Sequence, residues 1–318
     1  DAESVARDWL ARDGQRWRPF LTVASYQALR EDRGEPMPED VKKIAVAVAC
    51  FHKASLVHDD IEDEDVTRYG QQTLHEQHGI PVALNAGDLL IGEGYRLIGE
   101  CQAADAAKAA MLLAASQGQR LLCRGQGAEL SWANKPGPLN HKQVFEIHRN
   151  KTAPAFEVAL QLGAAYAGKL DEVADVISTY SENLGVAYQI RDDMEDLSAD
   201  AAAETIAHMR PNVLLALARE KSKGEDKQFM EALWNGSEVT DRAAAERCRD
   251  IAHQSGADER CLTLLEMYKE AAIRSLAELD NENLKGLLRR VLGKIFNDLE
   301  IKGWCREYEV KNGVRNEE

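Results

Sequence analysis

The chain has 318 residues, 44% of them apolar, and a formal net charge of −15. That much apolar material is ample for a sizeable core, and so large an acidic excess argues against nucleic acid or an anionic membrane surface as a partner. No apolar run of about 18 residues, no leader pattern and no Gly/Ser-rich or Pro-rich linker is found, so the expectation is one cytoplasmic domain over residues 1–318 without an integral membrane segment. Six cysteines, none at C-x-x-C spacing, read as buried thiols.

Residues 4–10 predict a short helix, broken at Asp13-Gly14. Arg16-Trp17-Arg18-Pro19 then leads into a second helix over 20–30, its arginines being either an anion contact or a solvated basic turn. After a loop at Pro36 and Pro38, apolar residues recur at helical spacing over 41–63. This long helix ends in Leu56-Val57-His58-Asp59-Asp60-Ile61-Glu62-Asp63. Asp59 and Asp63 lie one turn apart with Asp60 nearby, so three carboxylates can converge on a small volume. Like charges at about 5 Å repel by ~3 kcal/mol at an effective dielectric near 20, and a divalent cation with oxygen ligands relieves them. Mg²⁺ fits best, since it takes one or two carboxylates and completes its shell with water or phosphate oxygens.

Arg68-Tyr69-Gly70 closes this stretch. His75 and His78 have no matching Cys or carboxylate motif and read as packing or capping residues. Residues 82–122 are rich in Ala and Leu around Gly87-Asp88-Leu89-Leu90, which predicts one or two core helices. Gly125-Gln126-Gly127 is expected to interrupt them, and Pro136-Gly137-Pro138 marks a loop. Helical spacing resumes at Lys142, and Lys151-Thr152 is either a phosphate contact or a surface lysine with its stem on apolar surface. Residues 170–196 end in a second acidic cluster, Gln189-Ile190-Arg191-Asp192-Asp193-Met194-Glu195-Asp196. Either cluster alone reads equally well as a solvated helix face, but a matching pair after apolar helices suggests facing walls of a cavity in a helical bundle. Beyond Pro211 the pattern is helical with breaks near Ser222 and Asn235, and no stretch alternates with period two, so the fold class is all-α.

Taken together, these motifs resemble the trans-isoprenyl diphosphate synthases, the polyprenyl synthetase family. The residues concerned are His52-x-x-Ser55-Leu56-Val57-His58-Asp59-Asp60-x-x-Asp63, Gly87-Asp88-x-Leu90, Lys151-Thr152 and Gln189-x-x-Asp192-Asp193-x-x-Asp196, within residues 14–217. The resemblance implies a single-domain helical bundle of the isoprenoid synthase type, a homodimer, with a central cavity lined by the two Asp-rich motifs. It implies that Asp59, Asp60, Asp63, Asp192, Asp193 and Asp196 hold three Mg²⁺ ions on an allylic prenyl diphosphate. Arg68, Lys151 and Arg210 would grip that diphosphate, with Thr152 and Gln189 near the reacting carbons, while Arg18 and His52 would serve isopentenyl diphosphate. The implied reaction is Mg²⁺-dependent condensation of these two substrates.

The departures fall on the isopentenyl diphosphate side. Where the family usually begins G-G-K-x-x-R, this chain has Asp13-Gly14-Gln15-Arg16-Trp17-Arg18, and Tyr69 stands where an R-R-G triplet has its second Arg. No Gly-Lys pair follows the second motif. Each lost cation removes a charge-assisted contact worth ~1.5 to 3 kcal/mol. This pattern also suits a class I terpene cyclase that ionises one prenyl diphosphate, although such enzymes usually replace the second Asp-rich motif. A regulatory subunit of another prenyltransferase would have no need of two intact motifs. Ala54 and Ser55, where bulky residues would block the tail, predict a product of about fifteen carbons or more.

Overall fold

The computed structural model describes residues 1–12, 14, 16–31, 34–198, 202, 206, 208–237 and 241–297. They form two compact units, one drawn from residues 1–118, 155–177 and 279–287, the other from 119–154, 178–278 and 288 onward. Among the described residues the only strands are a two-residue pair, so the all-α expectation holds.

In the first unit, α1 (Ala2–Ala11) starts on Asp1, whose carboxylate accepts from the Ser4 amide. Next come α2 (Trp17–Leu29) and α3 (Glu39–Glu62), which has two acids in its first turn where the helix dipole favours them. Strands β1 (Thr67–Arg68) and β2 (Gln71–Gln72) pair antiparallel around Tyr69 and Gly70, both at positive φ (55° and 72°), as a two-residue hairpin turn requires. Helices α4 (Leu74–His78) and α5 (Ile80–Gly99) follow, with a proline at the start of α5. α5 packs along α3 at two glycines: a β-carbon at Gly87 would collide with the His58 ring, and one at Gly94 with Phe51. Trp9, Cys50, Ala54, Val57 and Leu90 form the core under this contact.

Helices α6 (Asp105–Asn134), α7 (His141–Tyr166) and α8 (Leu170–Asp196) each supply residues to both units. The expected interruption at Gly125-Gln126-Gly127 is absent, since α6 runs straight through it. A β-carbon at Gly125 would strike the backbone of Lys151, and one at Gly185 of α8 would lie 2.8 Å from the Ala153 Cα, so glycine serves here for close helix contact. The second unit continues with α9 (Val213–Lys221), α10 (Gly224–Trp234), α11 (Arg242–Gln254), α12 (Ala257–Ser275) and a 3₁₀ turn (Leu276–Glu278), and α13 (Glu282–Ile295) again supplies residues to both units. The second unit's core is built around Trp132 and Trp234, edge to face at 5.5 Å, with Phe145, Val186, Ile190 and Leu215.

Cys50, Cys101, Cys248 and Cys261 are buried thiols, and Cys123 is an exposed one. Burial pushes the Cys50 and Cys261 thiols up to about 12, which leaves them unreactive. Among the described residues no helix is long and apolar enough to cross a membrane.

Candidate active site

In the first unit, the last turns of α3 sort the acids of the first motif. Asp59 and Asp63 are half-buried one turn apart, the Asp63 amide donating to the Asp59 carbonyl at 2.8 Å. Asp60 is turned inward, only 1% exposed, and pairs with the Arg68 guanidinium brought in by β1. Arg68 also reaches Asp65 at 2.8 Å. Burial raises the Asp60 carboxyl against the opposing pull of Arg68, and its second oxygen is buried without a hydrogen bond among the described residues. The structure therefore separates Asp60 from the two outward acids, although helical spacing placed it beside them. His58 lies 3.6 Å from Asp88 of the Gly87-Asp88 pair.

The residues implied for isopentenyl diphosphate also lie in this unit. An Nη of Arg18 donates to His52 Nε2 at 3.2 Å, and the guanidinium lies 5.7 Å from the centre of the Phe156 ring. Burial first, then the charges of Arg18, Lys53 and Arg68, hold His52 down to about 2, so it is a neutral acceptor. Gln15 lies outside the described residues. Tyr69 stacks beside Trp9, with ring centres 6.5 Å apart.

In the second unit, the glycine contacts on α7 bring Lys151 and Thr152 toward α6 and α8. Lys151 Nζ pairs with the buried Glu129 of α6 at 2.6 Å, and the Thr152 hydroxyl donates to Gln189 Oε1 at 2.9 Å. Asp192 meets Arg191 at 2.9 Å, yet burial, aided by Glu195 and Asp196, pushes its carboxyl up to about 6. Burial and Asp193 likewise raise Asp196, with Arg210 near enough to oppose them. Asp193 repeats the behaviour of Asp60. It is buried 2.8 Å from His148 Nε2, accepts the Val213 amide at 2.5 Å, and its carbonyl accepts from Asn212, the N-cap of α9.

Each unit thus presents one outward pair of acids, Asp59 with Asp63 and Asp192 with Asp196, while the middle acid is bound into the fold. Among the described residues no three His, Cys, Asp or Glu side chains converge on one cation position. The outward acids fit a hard cation nonetheless, because Asp192 and Asp196 are carboxylates whose charge is disfavoured by burial and by neighbouring acids. One or two carboxylates, with phosphate oxygens for the remainder, is what Mg²⁺ takes. Three partners went unseen in the sequence, namely Glu129, His148 and Lys53. Glu129 had a signal, since it follows Gly125 by one helical turn and so faces the same neighbour.

The chain is 31% identical over 198 residues to the short chain isoprenyl diphosphate synthase of Methanocaldococcus jannaschii, the match covering 62% of this chain and 58% of that protein. It thus spans less than two thirds of that curated relative. Its fold is similar to the geranylgeranyl pyrophosphate synthetase of Pyrococcus horikoshii, with a TM-score of 0.79 and 25% identity, covering 92% of this chain and 89% of that one. A polyprenyl synthase from Caulobacter crescentus, solved with calcium and isoprenyl diphosphate, gives a TM-score of 0.75 at 26% identity, covering 90% and 87%. The helical fold is therefore that of the isoprenoid synthases. With the polyprenyl synthetase model matching residues 2–251, well beyond the stretch that holds the acidic motifs, the chain belongs to the polyprenyl synthetase family.

Proposed function

We propose that this chain is a trans-prenyltransferase that joins an allylic prenyl diphosphate to isopentenyl diphosphate, with Mg²⁺ as its cofactor. The observation that carries the reading is the pair of outward acid pairs together with the contact of Thr152 with Gln189, on a chain of this family. Calcium with isoprenyl diphosphate in the Caulobacter crescentus relative supports a divalent cation and this substrate class.

In this reading Asp59 and Asp63 of the first unit, and Asp192 and Asp196 of the second, would each serve as Mg²⁺ ligands. Asp60 fixes Arg68, and Asp193 fixes the end of α8 against His148 and the start of α9. Bound Mg²⁺ would supply positive charge for the oxygens of the departing diphosphate. Lys151 and Arg210 bind the same group, and Glu129 holds the Lys151 ammonium in place. The allylic C–O bond breaks with its electron pair leaving on the diphosphate, the isopentenyl double bond attacks the resulting cation, and a proton is then lost. Because Thr152 donates to Gln189 Oε1, the Gln189 amide is oriented and its dipole can face a developing cation.

The unit boundaries at 118/119, 154/155 and 177/178 fall inside continuous helices, which supports one domain over the chain. Homodimerisation is supported by the exposed apolar residues Ile80, Leu84 and Leu89 of α5 and Leu113 of α6. Four buried thiols support a reducing compartment, the cytoplasm.

The deciding assay incubates the chain with geranyl, farnesyl and geranylgeranyl diphosphates and Mg²⁺, with and without isopentenyl diphosphate. Elongation is the expected result. Release of diphosphate with a hydrocarbon or alcohol product and no elongation would establish terpene cyclisation instead. One observation favours that second reading: the pocket beside Tyr69 has room for about one water molecule, about 20 Å³.

A further inference from the structure

Arg191 comes one residue before Asp192 on α8, half-buried, and its planar guanidinium offers five donors in a fixed fork. One arm goes to the second acidic motif. Nη2 donates to Asp192 Oδ1 at 2.9 Å, and Glu195 lies 3.4 Å from Nε. The other arm, Nη1, donates at 2.8 Å to the carbonyl of Ile295, the last residue of α13. The last four carbonyls of a helix have no partner within it and carry the negative end of its dipole, so a cation there is favourable. A single side chain thus serves an acid read as a metal ligand and the end of the last described helix.

Consecutive residues of a helix do not face each other, so the contact of Arg191 with Asp192 needs a second cause. Aromatic rings supply it. The guanidinium carbon lies over the ring of Tyr188, one turn earlier on the same face of α8, at 4.6 Å from its centre, and 5.6 Å from the centre of the Phe296 ring just beyond α13. Phe296 is fixed in turn, its ring 5.6 Å from the Lys269 ammonium of α12 and its amide donating to the Leu292 carbonyl at 3.1 Å. The guanidinium is therefore held from both helices, with its charge shared between Asp192 and Ile295. A divalent cation arriving at Asp192 takes up the charge of that carboxylate and repels the guanidinium. The Ile295 carbonyl is unaltered, so the arginine is thrown onto it.

We propose that Arg191 is the counter-ion that Asp192 exchanges for Mg²⁺, and that its second arm carries the exchange to the end of α13. The inference rests on the reading of Asp192 as a Mg²⁺ ligand. Without metal, Arg191 balances the acid; with metal, it is released to Ile295 and holds the last turn of α13 more firmly. Such coupling is reciprocal, so the arginine weakens metal binding by as much as metal weakens its hold on Asp192. A site that must shed magnesium pyrophosphate after each turnover gains from that competitor.

The test titrates the full chain with magnesium pyrophosphate by calorimetry and follows hydrogen exchange of residues 288–297 in EDTA and with magnesium pyrophosphate. In the wild type, magnesium pyrophosphate should slow exchange there by about threefold or more, the effect of one strengthened hydrogen bond; no slowing overturns the proposal. Arg191→Met keeps an apolar stem beside the rings and removes both arms. It should bind magnesium pyrophosphate about fivefold more tightly, as loss of a half-exposed ion pair predicts, and its exchange should be the same with and without it. Arg191→Lys keeps the charge without the fork, so its affinity should stay within about twofold of wild type while 288–297 no longer responds. Unchanged or weaker binding in Arg191→Met overturns the proposal, as does exchange in that variant that still responds. An Arg191→Lys chain that binds as tightly as Arg191→Met, or that keeps the response, overturns it too. Asp192→Asn separates the two readings. If it binds magnesium pyrophosphate like the wild type, the ligand reading fails and the proposal with it; lost binding there, with wild-type behaviour in both Arg191 variants, overturns the proposal alone.

Discussion

Replacing Asp59 by Asn removes one of two half-buried acids on a single helical face, whereas replacing Asp193 by Asn breaks a buried pair with His148 and weakens the acceptor for the Val213 amide. The first change, like Asp192→Asn, should lower kcat by about a hundredfold or more while leaving the fold intact. The second should cost about 3 kcal/mol of stability as well, because it leaves a buried polar partner uncompensated. Urea unfolding in EDTA beside initial rates at limiting Mg²⁺ separates them; near-normal turnover of Asp59→Asn and Asp192→Asn would make these acids solvated surface. The division between outward and inward acids was only half legible in the sequence. A 3.6-residue period puts Asp59 and Asp63 together, but Arg68 reaches Asp60 through a hairpin turn, and His148 meets Asp193 across 45 residues. Such pairings depend on tertiary placement, which no local period encodes.

Element by element, the long helices were readable because apolar periodicity and acidic ends are strong signals. Residues 170–196 were read as the segment that carries the second acidic motif after an apolar helix, and α8 spans Leu170–Asp196. Glycine misled, since it marks both a helix end and a close helix contact, and Gly125 serves the second purpose. Along α3, Phe51 lies eight residues before Asp59, about 12 Å down the same face at 1.5 Å per residue. It packs edge to face with Tyr95 of α5 at 5.0 Å, while Ala54 and Ser55 above it are small. If the allylic tail runs down this face, Phe51 is its floor. Phe51→Ala should then lengthen the product by at least one five-carbon unit, read by chromatography of the dephosphorylated products; an unchanged profile would place the tail elsewhere.

At the scale of the whole molecule, titration opposes itself. Asp192 is raised to about 6, and Asp60 and Asp196 are raised as well, so the folded chain holds these protons more tightly than the unfolded chain. Their contribution is complete below the unfolded value near ~3.9 and is lost as pH rises through their folded values, about 6 for Asp192. Asp40, Glu93, Glu231 and Asp258 are lowered, so theirs is present above about pH 4.5 and lost as pH falls through their folded values. In EDTA the thermal midpoint should therefore be higher at pH 5 than at pH 7.5. Mg²⁺ with pyrophosphate should recover the difference, and Asp192→Asn should shrink it by the equivalent of about 1 kcal/mol of stability. A midpoint that rises from pH 5 to 7.5 in EDTA would contradict this. Light scattering after gel filtration should give twice the 35.3 kDa chain mass, and Leu84→Glu with Leu89→Glu should halve it. The two glycines pressed against α7 have a further consequence for how the chain can vary. Gly125 abuts Lys151 and Gly185 abuts Ala153, so the turn that carries Lys151 is wedged from both sides. In a library of all single substitutions selected for turnover, positions 125 and 185 should be depleted as severely as Lys151 itself, and heredity would mark as catalytic two residues that have no side chain to offer.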